Sequence, residues 1–398
     1  GRLQQYNIAT DNIRFDMAGA LERKNQIVSN LVSGIAGLLK ANGVEIIKGQ
    51  AYVVAPDQVK VGEDIYSATK IMIASGSVPA RLTLPGFDDP RVLTSDQILT
   101  IDTLPSRLTI IGGGVIGIEF ACIFNALGSQ VTLIEYLPEV LNLLDHEIVK
   151  RMTVYLKKQK INLYTGTSVH SLELTKDEIK VLATNKKGEL EISADLVLVA
   201  AGRKPVSSDF GLEALGVVTE RGFLKVDADY QTNVSGIYAI GDVIGQPMLA
   251  HVASEEGIVA VERMCQLTSQ VPYHAIPSCV FSLPEIATVG SSEAEASEAG
   301  INYRVGKFLF AASGKAMTMG ETDGLVKVIA DEQGVIIGIH IIGAHASDLI
   351  QEASVIVRHH LTIDQVAETV HPHPTLGEAL LEAVLDAGGR AVHVNPKK

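Results

Sequence analysis

The stretch from Arg107 to Glu135 constrains the fold of this chain more than any other part of its sequence. It reads RLTIIGGGVIGIEFACIFNALGSQVTLIE: an apolar run, glycines at GxGxxG spacing, a helical pattern, a second apolar run and an acid. A strand, a glycine-rich turn and a helix in this order, with an acid about 20 residues further on, form the fingerprint of dinucleotide-binding βαβ units. The stretch therefore predicts a parallel α/β sheet with a nucleotide at its edge.

The three glycines and the acid each have a mechanical role in such a unit. Gly112 permits a tight turn, Gly114 lets the backbone approach a pyrophosphate, and Gly117 lets the helix pack closely on the sheet. The N-terminus of the helix then directs N–H groups at the phosphates. Glu135 can accept hydrogen bonds from both ribose hydroxyls, and no arginine follows it to receive a 2′-phosphate, so NAD is favoured. The alternative is a glycine-rich turn that binds nothing.

Composition narrows the remaining function classes. The chain has 398 residues, of which 46% are hydrophobic and 20% charged, which is typical of a globular protein of two to four domains. Its net charge of −13 includes no basic block, so nucleic acid and anionic membranes are not expected partners. No apolar run is long enough to span a membrane, and we predict a cytoplasmic protein. The spacing of the three cysteines fits neither a disulfide framework nor a metal site, and we predict that all three are buried.

Periodicity divides the chain further. Helical spacing of apolar residues predicts a long amphipathic helix over residues 16–41, and short strands follow between residues 44 and 74. Residues 79–105 are rich in Pro, Asp and Thr and are typical of a connection between domains. The apolar segment 236–242 predicts a strand that returns to the domain left near residue 77. From Pro272 onward strands precede helices, which predicts a separate α+β domain.

Two further constellations could carry chemistry. Asp242 follows an apolar strand, where open α/β sheets bind ligands, and it could accept a hydrogen bond from a sugar-like hydroxyl. The alternative is a turn-forming or N-capping aspartate. In the C-terminal segment HPHPTLGE, Glu378 could orient His373 for proton transfer, but Thr375 and Glu378 also have the spacing of a capping box. The other histidines considered have no such arrangement: His251, His340, His345, His359, His360 and His371.

Taken together and in this order, these residues resemble the flavoprotein disulfide reductases, which are the class I pyridine nucleotide-disulfide oxidoreductases. The segments IMIASGS, LVLVAAGRKP, IYAIGDVIGQPMLAH and HPHPTLGE are each similar to a segment of that family, and the resemblance covers the whole chain. The last segment is most similar to the branch that oxidises dihydrolipoyl groups. The resemblance implies an α/β fold with Rossmann-like FAD- and NAD-binding domains, followed by an α+β C-terminal dimerisation domain.

The resemblance also implies how the chain is divided into domains. The remainder of an FAD-binding domain would occupy residues 1–78, and an NAD-binding domain residues 79–204. The chain would return to the FAD-binding or central domain at residues 205–271. Residues 272–398 would then form the interface domain of a homodimer.

The resemblance assigns roles to the candidate residues. His373 would remove a proton from the dihydrolipoyl thiol, with Glu378 orienting it, and would serve the partner chain of the homodimer. Gly202 would join the fingerprint residues at the NAD site, and FAD would be contacted by Gly76, Asp242 and Ala250. The implied partner is the lipoyl-bearing subunit of a 2-oxo-acid dehydrogenase or glycine cleavage complex.

The chain departs from the family in one respect. Members begin with a GxGxxG unit of their own for FAD and a helix that carries two cysteines four residues apart, and neither feature occurs in these 398 residues. Because the redox relay starts at those cysteines, we predict that the 398-residue chain alone does not oxidise dihydrolipoamide. Retention of FAD by this chain stays an open question. The alternatives are another NAD-linked disulfide reductase and a non-catalytic NAD-binding or dimerisation fragment.

Overall fold

The computed structural model describes residues 6–11 and 13–394. In this part of the chain the strands form two five-stranded sheets and several sheets of two or three strands. One five-stranded sheet lies against its own cluster of buried apolar residues. The cluster at the other five-stranded sheet also includes four residues of the first sheet, namely Val280, Ile286, Leu325 and Ile342. Within the described residues, no helix has the length and apolarity needed to cross a membrane.

The first regular element is the long helix α1 (Met17–Ala41), which confirms the helix predicted over residues 16–41. Asp16 caps it, because its carboxylate accepts a hydrogen bond from the backbone N–H of Ala18 at 3.1 Å. None of the helix residues is buried, and Leu31 and Leu38 are 64% and 65% exposed. Most of the apolar stripe of α1 is therefore exposed to solvent, while Met17, Leu21 and Leu39 are partly buried.

Short strands follow α1. They are β1 (Ala51–Ala55), β2 (Gln58–Val61), β3 (Asp64–Ser67), β4 (Ile71–Ile73) and β5 (Ser77–Pro79). The first three form a small antiparallel sheet, as the alternation of turn residues and β-branched residues predicts. The strand predicted to begin at residue 44 is wrong, because residues 44–49 are exposed and pair with no neighbouring strand.

The fingerprint stretch forms the centre of a parallel sheet. Its unit contains β6 (Val92–Thr94), α2 (Ser95–Ile98), β7 (Arg107–Ile111), α3 (Val115–Leu127), β8 (Gln130–Ile134), α4 (His146–Lys158), β9 (Asn162–Tyr164), β10 (Ser168–Leu174), β11 (Ile179–Asn185), β12 (Gly188–Ala194) and β13 (Leu196–Val199). The strand order is β6-β13-β7-β8-β9, and all neighbours in it are parallel. The inner strands are apolar throughout because both faces of a parallel sheet are covered. Strands β10 to β12 form a separate antiparallel sheet.

The chain then returns to its first part. The elements here are β14 (Arg203–Pro205), β15 (Thr219–Glu220), β16 (Phe223–Leu224), β17 (Ile237–Ala239), a 3₁₀ turn at Gly241–Ile244 and α5 (Ala250–Met264). Strand β17 pairs in parallel with β4, and β14 pairs in antiparallel orientation with β5. The predicted return to the region left near residue 77 is therefore confirmed, although the domain boundaries themselves stay predictions.

The C-terminal part is an antiparallel sheet covered by helices. It contains a 3₁₀ turn at Tyr273–Ala275, β18 (Ser278–Val280), β19 (Glu285–Gly290), α6 (Glu293–Glu298), β20 (Tyr303–Leu309), a 3₁₀ turn at Phe310–Ala312, α7 (Gly314–Met319), β21 (Leu325–Asp331), β22 (Ile336–Gly343), α8 (Ala346–Arg358), α9 (Ile363–Ala367) and α10 (Gly377–Ala387). The strand order is β18-β19-β22-β21-β20, with α8 and α10 packed on the sheet. This confirms the predicted α+β unit, although the short helices α6 and α7 lie between its strands and the sequence pattern did not predict β18 and β19.

Candidate functional site

Close backbone contacts fix the glycine-rich turn between β7 and α3. Gly112 has a φ of +113°, and a Cβ atom there would overlap the carbonyl oxygen of Ala200. A Cβ atom on Gly117 would overlap the carbonyl oxygen of Gly112. Gly112 requires glycine because of its positive φ and the adjoining Ala200, and Gly117 requires it because the first turn of α3 lies directly against the strand that precedes it.

Gly114 has a different environment. It is the N-cap residue of α3 and offers no side chain to cap the helix, and a Cβ atom there would meet no atom within 4 Å. The N–H groups of the first turn of α3 therefore lie beside open space, together with the positive end of the helix dipole. This helix end can hold an anionic group such as a pyrophosphate.

Glu135 lies at the end of β8, and backbone N–H groups fix both of its carboxylate oxygens. Its Oε2 accepts a hydrogen bond from Gly113 at 2.5 Å, and its Oε1 accepts one from Leu137 at 2.6 Å. Each oxygen keeps a second lone pair that can accept a ribose hydroxyl. Sequence reasoning missed Gly113, although this middle glycine of the run Gly112-Gly113-Gly114 was the available signal. A Cβ atom there would press on Val140 and on Glu135 itself.

Gly202 follows β13 at the same end of the sheet. It is exposed, has a φ of +110°, and would place a Cβ atom in open space. Because Ala200 contacts Gly112, the end of β13 and the glycine-rich turn adjoin each other. All the residues predicted for NAD therefore lie together at the carboxyl edge of the parallel sheet, namely Gly112, Gly114, Gly117, Glu135 and Gly202.

A first prediction concerns the fit of α3 on its strand. We expect Gly117→Ala to lower the free energy of unfolding by about 1–3 kcal/mol, because the new methyl group displaces the Gly112 carbonyl. Thermal unfolding followed by circular dichroism measures this loss. Gly34→Ala in α1 is the matched control, since that position is open and the change is expected to stabilise the helix slightly. Equal effects of the two substitutions would contradict the role given to Gly117.

Asp242 lies in the 3₁₀ turn that follows β17. Its Oδ2 accepts a hydrogen bond from the hydroxyl of Ser77 at 2.5 Å and lies 3.8 Å from Nε of Arg203. Arg203 Nε in turn donates to the Ser77 hydroxyl at 2.6 Å. The carboxylate is thus bound to a neighbouring strand and caps no helix. Gly76, with a φ of +70° and open space at its Cβ position, adjoins this group.

Ala250 is the exposed first residue of α5, and the N-cap residue Leu249 makes no side-chain cap. The same helix carries a buried carboxylate, Glu256, that sequence reasoning missed. Glu256 is fully buried and accepts hydrogen bonds from the N–H of Gly241 and the hydroxyl of Tyr273, each at 2.7 Å. Burial, together with the hydrogen bond to Glu256, raises the pKa of Tyr273 well above its ordinary value. This network holds the backbone immediately before Asp242.

The C-terminal His–Glu pair is formed. Nδ1 of His373 lies 2.9 Å from Oε1 of Glu378, while Oε2 of Glu378 accepts the backbone N–H of Thr375 at 2.8 Å. The Thr375 hydroxyl does not cap the helix, because it donates to the carbonyl of Pro372 at 2.8 Å. One carboxylate therefore forms half of the capping box and orients the histidine as well. The His373 side chain is 79% exposed.

The environment of Glu378 sets the pH range in which the pair holds. Burial raises the pKa of Glu378, but the hydrogen bonds from Thr375 and His373 outweigh it, and the pKa lies below its usual 4.5. A lowered pKa contributes stability that is present above the unfolded value and is lost as pH falls. We expect a gap in unfolding free energy between the wild type and Glu378→Gln that is present at neutral pH and closes in acid. Urea unfolding across that range measures it, and a gap that widens in acid would contradict the sign.

The prediction that His371 and His345 lack a carboxylate partner is wrong. The buried ring of His371 lies 2.8 Å from Oε1 of Glu352 through Nε2, and its Nδ1 lies 3.0 Å from the carbonyl of Thr369. Spacing did not reveal this pair, because Glu352 lies 19 positions earlier, on helix α8, and α9 intervenes. Nδ1 of the exposed His345 lies 3.2 Å from Oδ2 of Asp348 in the next turn.

The cysteines of the chain are all unpaired in the structure. Cys122 is buried, Cys279 is partly buried and Cys265 is exposed. The prediction that all three are buried is therefore wrong for Cys265, which sits at the C-cap of α5 where the helix meets solvent. Among the described residues, no group of three or more His, Cys, Asp or Glu side chains could hold a metal ion.

Two family profiles match the chain. The profile described as pyridine nucleotide-disulphide oxidoreductase covers residues 3–257, and the one described as the dimerisation domain of that family covers residues 276–384. A dihydrolipoyl dehydrogenase from Thermus scotoductus is 41% identical, over 93% of this chain and 81% of that protein. One from Bacillus subtilis is 38% identical, over 97% of this chain and 84% of that protein.

Solved structures show the same fold. LpdA from Mycobacterium tuberculosis superimposes with a TM-score of 0.89 at 25% identity, over 96% of this chain and 85% of that one. The HOCl-induced flavoprotein disulfide reductase RclA from Escherichia coli superimposes with a TM-score of 0.85 at 26% identity. That match covers 93% of this chain and 86% of the reductase.

Proposed function

This chain belongs to the pyridine nucleotide-disulphide oxidoreductase family, and on that premise we propose that it is a dihydrolipoyl dehydrogenase. The reaction oxidises a dihydrolipoyl group to its disulfide and passes a hydride to NAD, with release of a proton. The observation that carries the proposal is the pair of His373 and Glu378 at 2.9 Å, because dithiol oxidation needs a base beside the thiol.

His373 has the geometry of a base that serves a group from outside its own chain. Glu378 binds Nδ1 and so leaves Nε2 as the atom that takes the proton from the thiol. The imidazole is exposed, so a thiol held by another chain can reach it. This supports a homodimer in which the His–Glu pair of one chain faces the redox site of its partner, and it agrees with the match of residues 276–384 to a dimerisation domain.

The residues present fit the two cofactors of the family. FAD, when bound, supplies the two-electron carrier between the disulfide and NAD. We propose that Asp242 accepts a hydroxyl of its sugar-like chain, and that Gly76 and Ala250 let the backbone lie close to it. The open Cβ position of Gly76 and the exposure of Ala250 support this placement.

For NAD, we propose that the N-terminus of α3 holds the pyrophosphate while Gly114 leaves room for it. Glu135 then accepts the ribose hydroxyls, and its two backbone bonds keep the carboxylate in place for them. A 2′-phosphate would meet this carboxylate and be repelled, which favours NAD over NADP.

The proposed partner outside the dimer is a lipoyl-bearing subunit of a 2-oxo-acid dehydrogenase or glycine cleavage complex. The names of the relatives support this assignment. A cytoplasmic location and the inactivity of the isolated 398 residues both stay predictions.

The test is NAD reduction driven by dihydrolipoamide, measured on the protein expressed from its native gene and followed by NADH absorbance. We expect turnover with dihydrolipoamide and NAD, and little with glutathione disulfide and NADPH. Turnover with the glutathione pair alone would assign the protein to another reductase. For the purified 398-residue chain we expect no turnover, and measurable turnover there would show that the relay does not need a Cys-x4-Cys pair.

A further inference from the structure

A cleft of about 480 Å³ lies between helix α4 and the C-terminal sheet. The outer face of α4 forms one wall, and the segments around Pro284, Gly324 and Ile342 form the other. Small-molecule sites commonly have volumes of about 300–1,000 Å³ and often lie between domains. None of the residues assigned to NAD, FAD or proton transfer lines this cleft, which we call the α4 cleft.

The walls of the α4 cleft carry apolar side chains on both sides. Val154 lines it from α4 and is 62% exposed, with the partly buried Tyr155 beside it. Pro284 and Ile342 face them from the C-terminal unit. A flat apolar group between these walls would cover Val154 and gain the free energy of its burial.

Positive charge lines the same cleft. Lys150 is exposed and, within the described part of the chain, forms no ion pair. The guanidinium of Arg151 comes no closer than 3.8 Å to Glu147, and its buried Nε has no hydrogen-bond partner. Glu147 itself is held by Lys307 at 2.6 Å. Lys150 therefore lacks a counter-ion, and Arg151 has one at 3.8 Å that Lys307 binds more closely, so an incoming anion could pair with both.

The second carboxylate of the cleft is also neutralised. Asp323 lies at its rim and pairs with Nζ of Lys158 at 2.6 Å, which joins α4 to the C-terminal unit. With Glu147 and Asp323 each bound closely by a lysine, the cleft keeps Lys150, which has no ion pair in the described part of the chain, and Arg151, whose ion pair with Glu147 is long at 3.8 Å. The cleft thus combines apolar walls with unmatched positive charge.

We propose that the α4 cleft binds a small organic anion with a flat apolar body. The body would lie between Val154, Tyr155 and Pro284, and its carboxylate or phosphate would pair with Lys150 and Arg151. Such a ligand contacts both the NAD-binding unit and the C-terminal unit. The site is independent of the proposed function, because it shares no residue with the dyad or the fingerprint.

The test compares three matched probes on the purified chain: 1-naphthoate, 1-naphthyl phosphate and the neutral 1-naphthalenemethanol. The chain contains no tryptophan, so naphthyl fluorescence is observed without tryptophan emission. We expect at least one anion to bind about tenfold or more tightly than the alcohol, and the better anion distinguishes carboxylate from phosphate recognition. Equal affinity for all three, or no binding of either anion, would overturn the proposal.

Variants locate the binding. We expect the double variant Lys150→Gln/Arg151→Gln to lower anion affinity about tenfold or more, and Val154→Phe to lower it by filling the cleft without adding a tryptophan. Lys157→Gln is the matched control, because Lys157 is an exposed cation of the same helix that does not line the cleft. Binding that is unchanged in the double variant, or lost equally in the control, would place the anion elsewhere and overturn the proposal.

Discussion

Replacement of His373 by glutamine is expected to lower kcat for dihydrolipoamide-dependent NAD reduction by about 100- to 10,000-fold, while the KM for NAD changes little. Glutamine keeps a polar side chain of similar length but cannot take and return the thiol proton. Steady-state kinetics of the protein expressed from its native gene measure the effect. The affected step is proton removal from the thiol, so NADH binding to the same variant should be unchanged.

His345→Gln is the control for this prediction. His345 is an exposed histidine in the same C-terminal unit and also has a carboxylate partner, Asp348. We expect its replacement to leave kcat at the wild-type value. An equal loss in both variants, or no loss in His373→Gln, would remove His373 from the mechanism.

The second large effect concerns a buried ion cluster between the two main units. Lys327 on β21 is 1% exposed, and its Nζ lies 2.8 Å from both carboxylate oxygens of Asp145, the N-cap residue of α4. It also pairs with Glu293. Burial lowers the pKa of Lys327 and raises that of Asp145. The hydrogen bonds and charge attractions around the pair together outweigh burial, so the pKa of Lys327 is raised, that of Asp145 is lowered, and both groups stay charged.

We expect Lys327→Met to lower the free energy of unfolding by about 3–5 kcal/mol, because it leaves the buried Asp145 carboxylate without its cation. Because the pKa of Asp145 is lowered, the contribution of the pair is present at neutral pH and lost as pH falls through that pKa. Urea unfolding at neutral and acid pH measures both the loss of unfolding free energy and its dependence on pH. Lys158→Met removes an exposed pair and should cost less than about 1 kcal/mol. Similar losses in the two variants would contradict the account of the cluster.

Sequence patterns predicted those helices and strands that are determined by residues close together in the chain. The apolar runs and glycines of residues 107–135 specify β7, α3 and β8, since each depends on neighbours within a few positions. The choice between a cap and a dyad at Glu378 was open in the sequence, because both need the same short spacing. In the structure, Oε1 of Glu378 contacts His373, and Oε2 accepts the backbone N–H of Thr375.

Partners that are distant in the chain could not be found in this way. Lys327 and Asp145 are 182 positions apart, and their ion pair forms only when β21 packs against the start of α4. Glu352 on α8 likewise contacts His371, which lies 19 positions further along the chain in the loop after α9. The one local sign of the cluster was Lys327 in the middle of the apolar strand β21, since a lysine buried there needs a counter-charge.

The most direct test of the central claim is a calorimetric titration of the purified 398-residue chain with NADH and with NADPH. The proposed NAD site lies at the fingerprint, where Gly113 and Leu137 fix the Glu135 carboxylate that would bind the ribose hydroxyls. We expect NADH to bind and NADPH to bind about tenfold or more weakly, because the 2′-phosphate meets the Glu135 carboxylate. Equal or tighter binding of NADPH, or no binding of NADH, would contradict that claim.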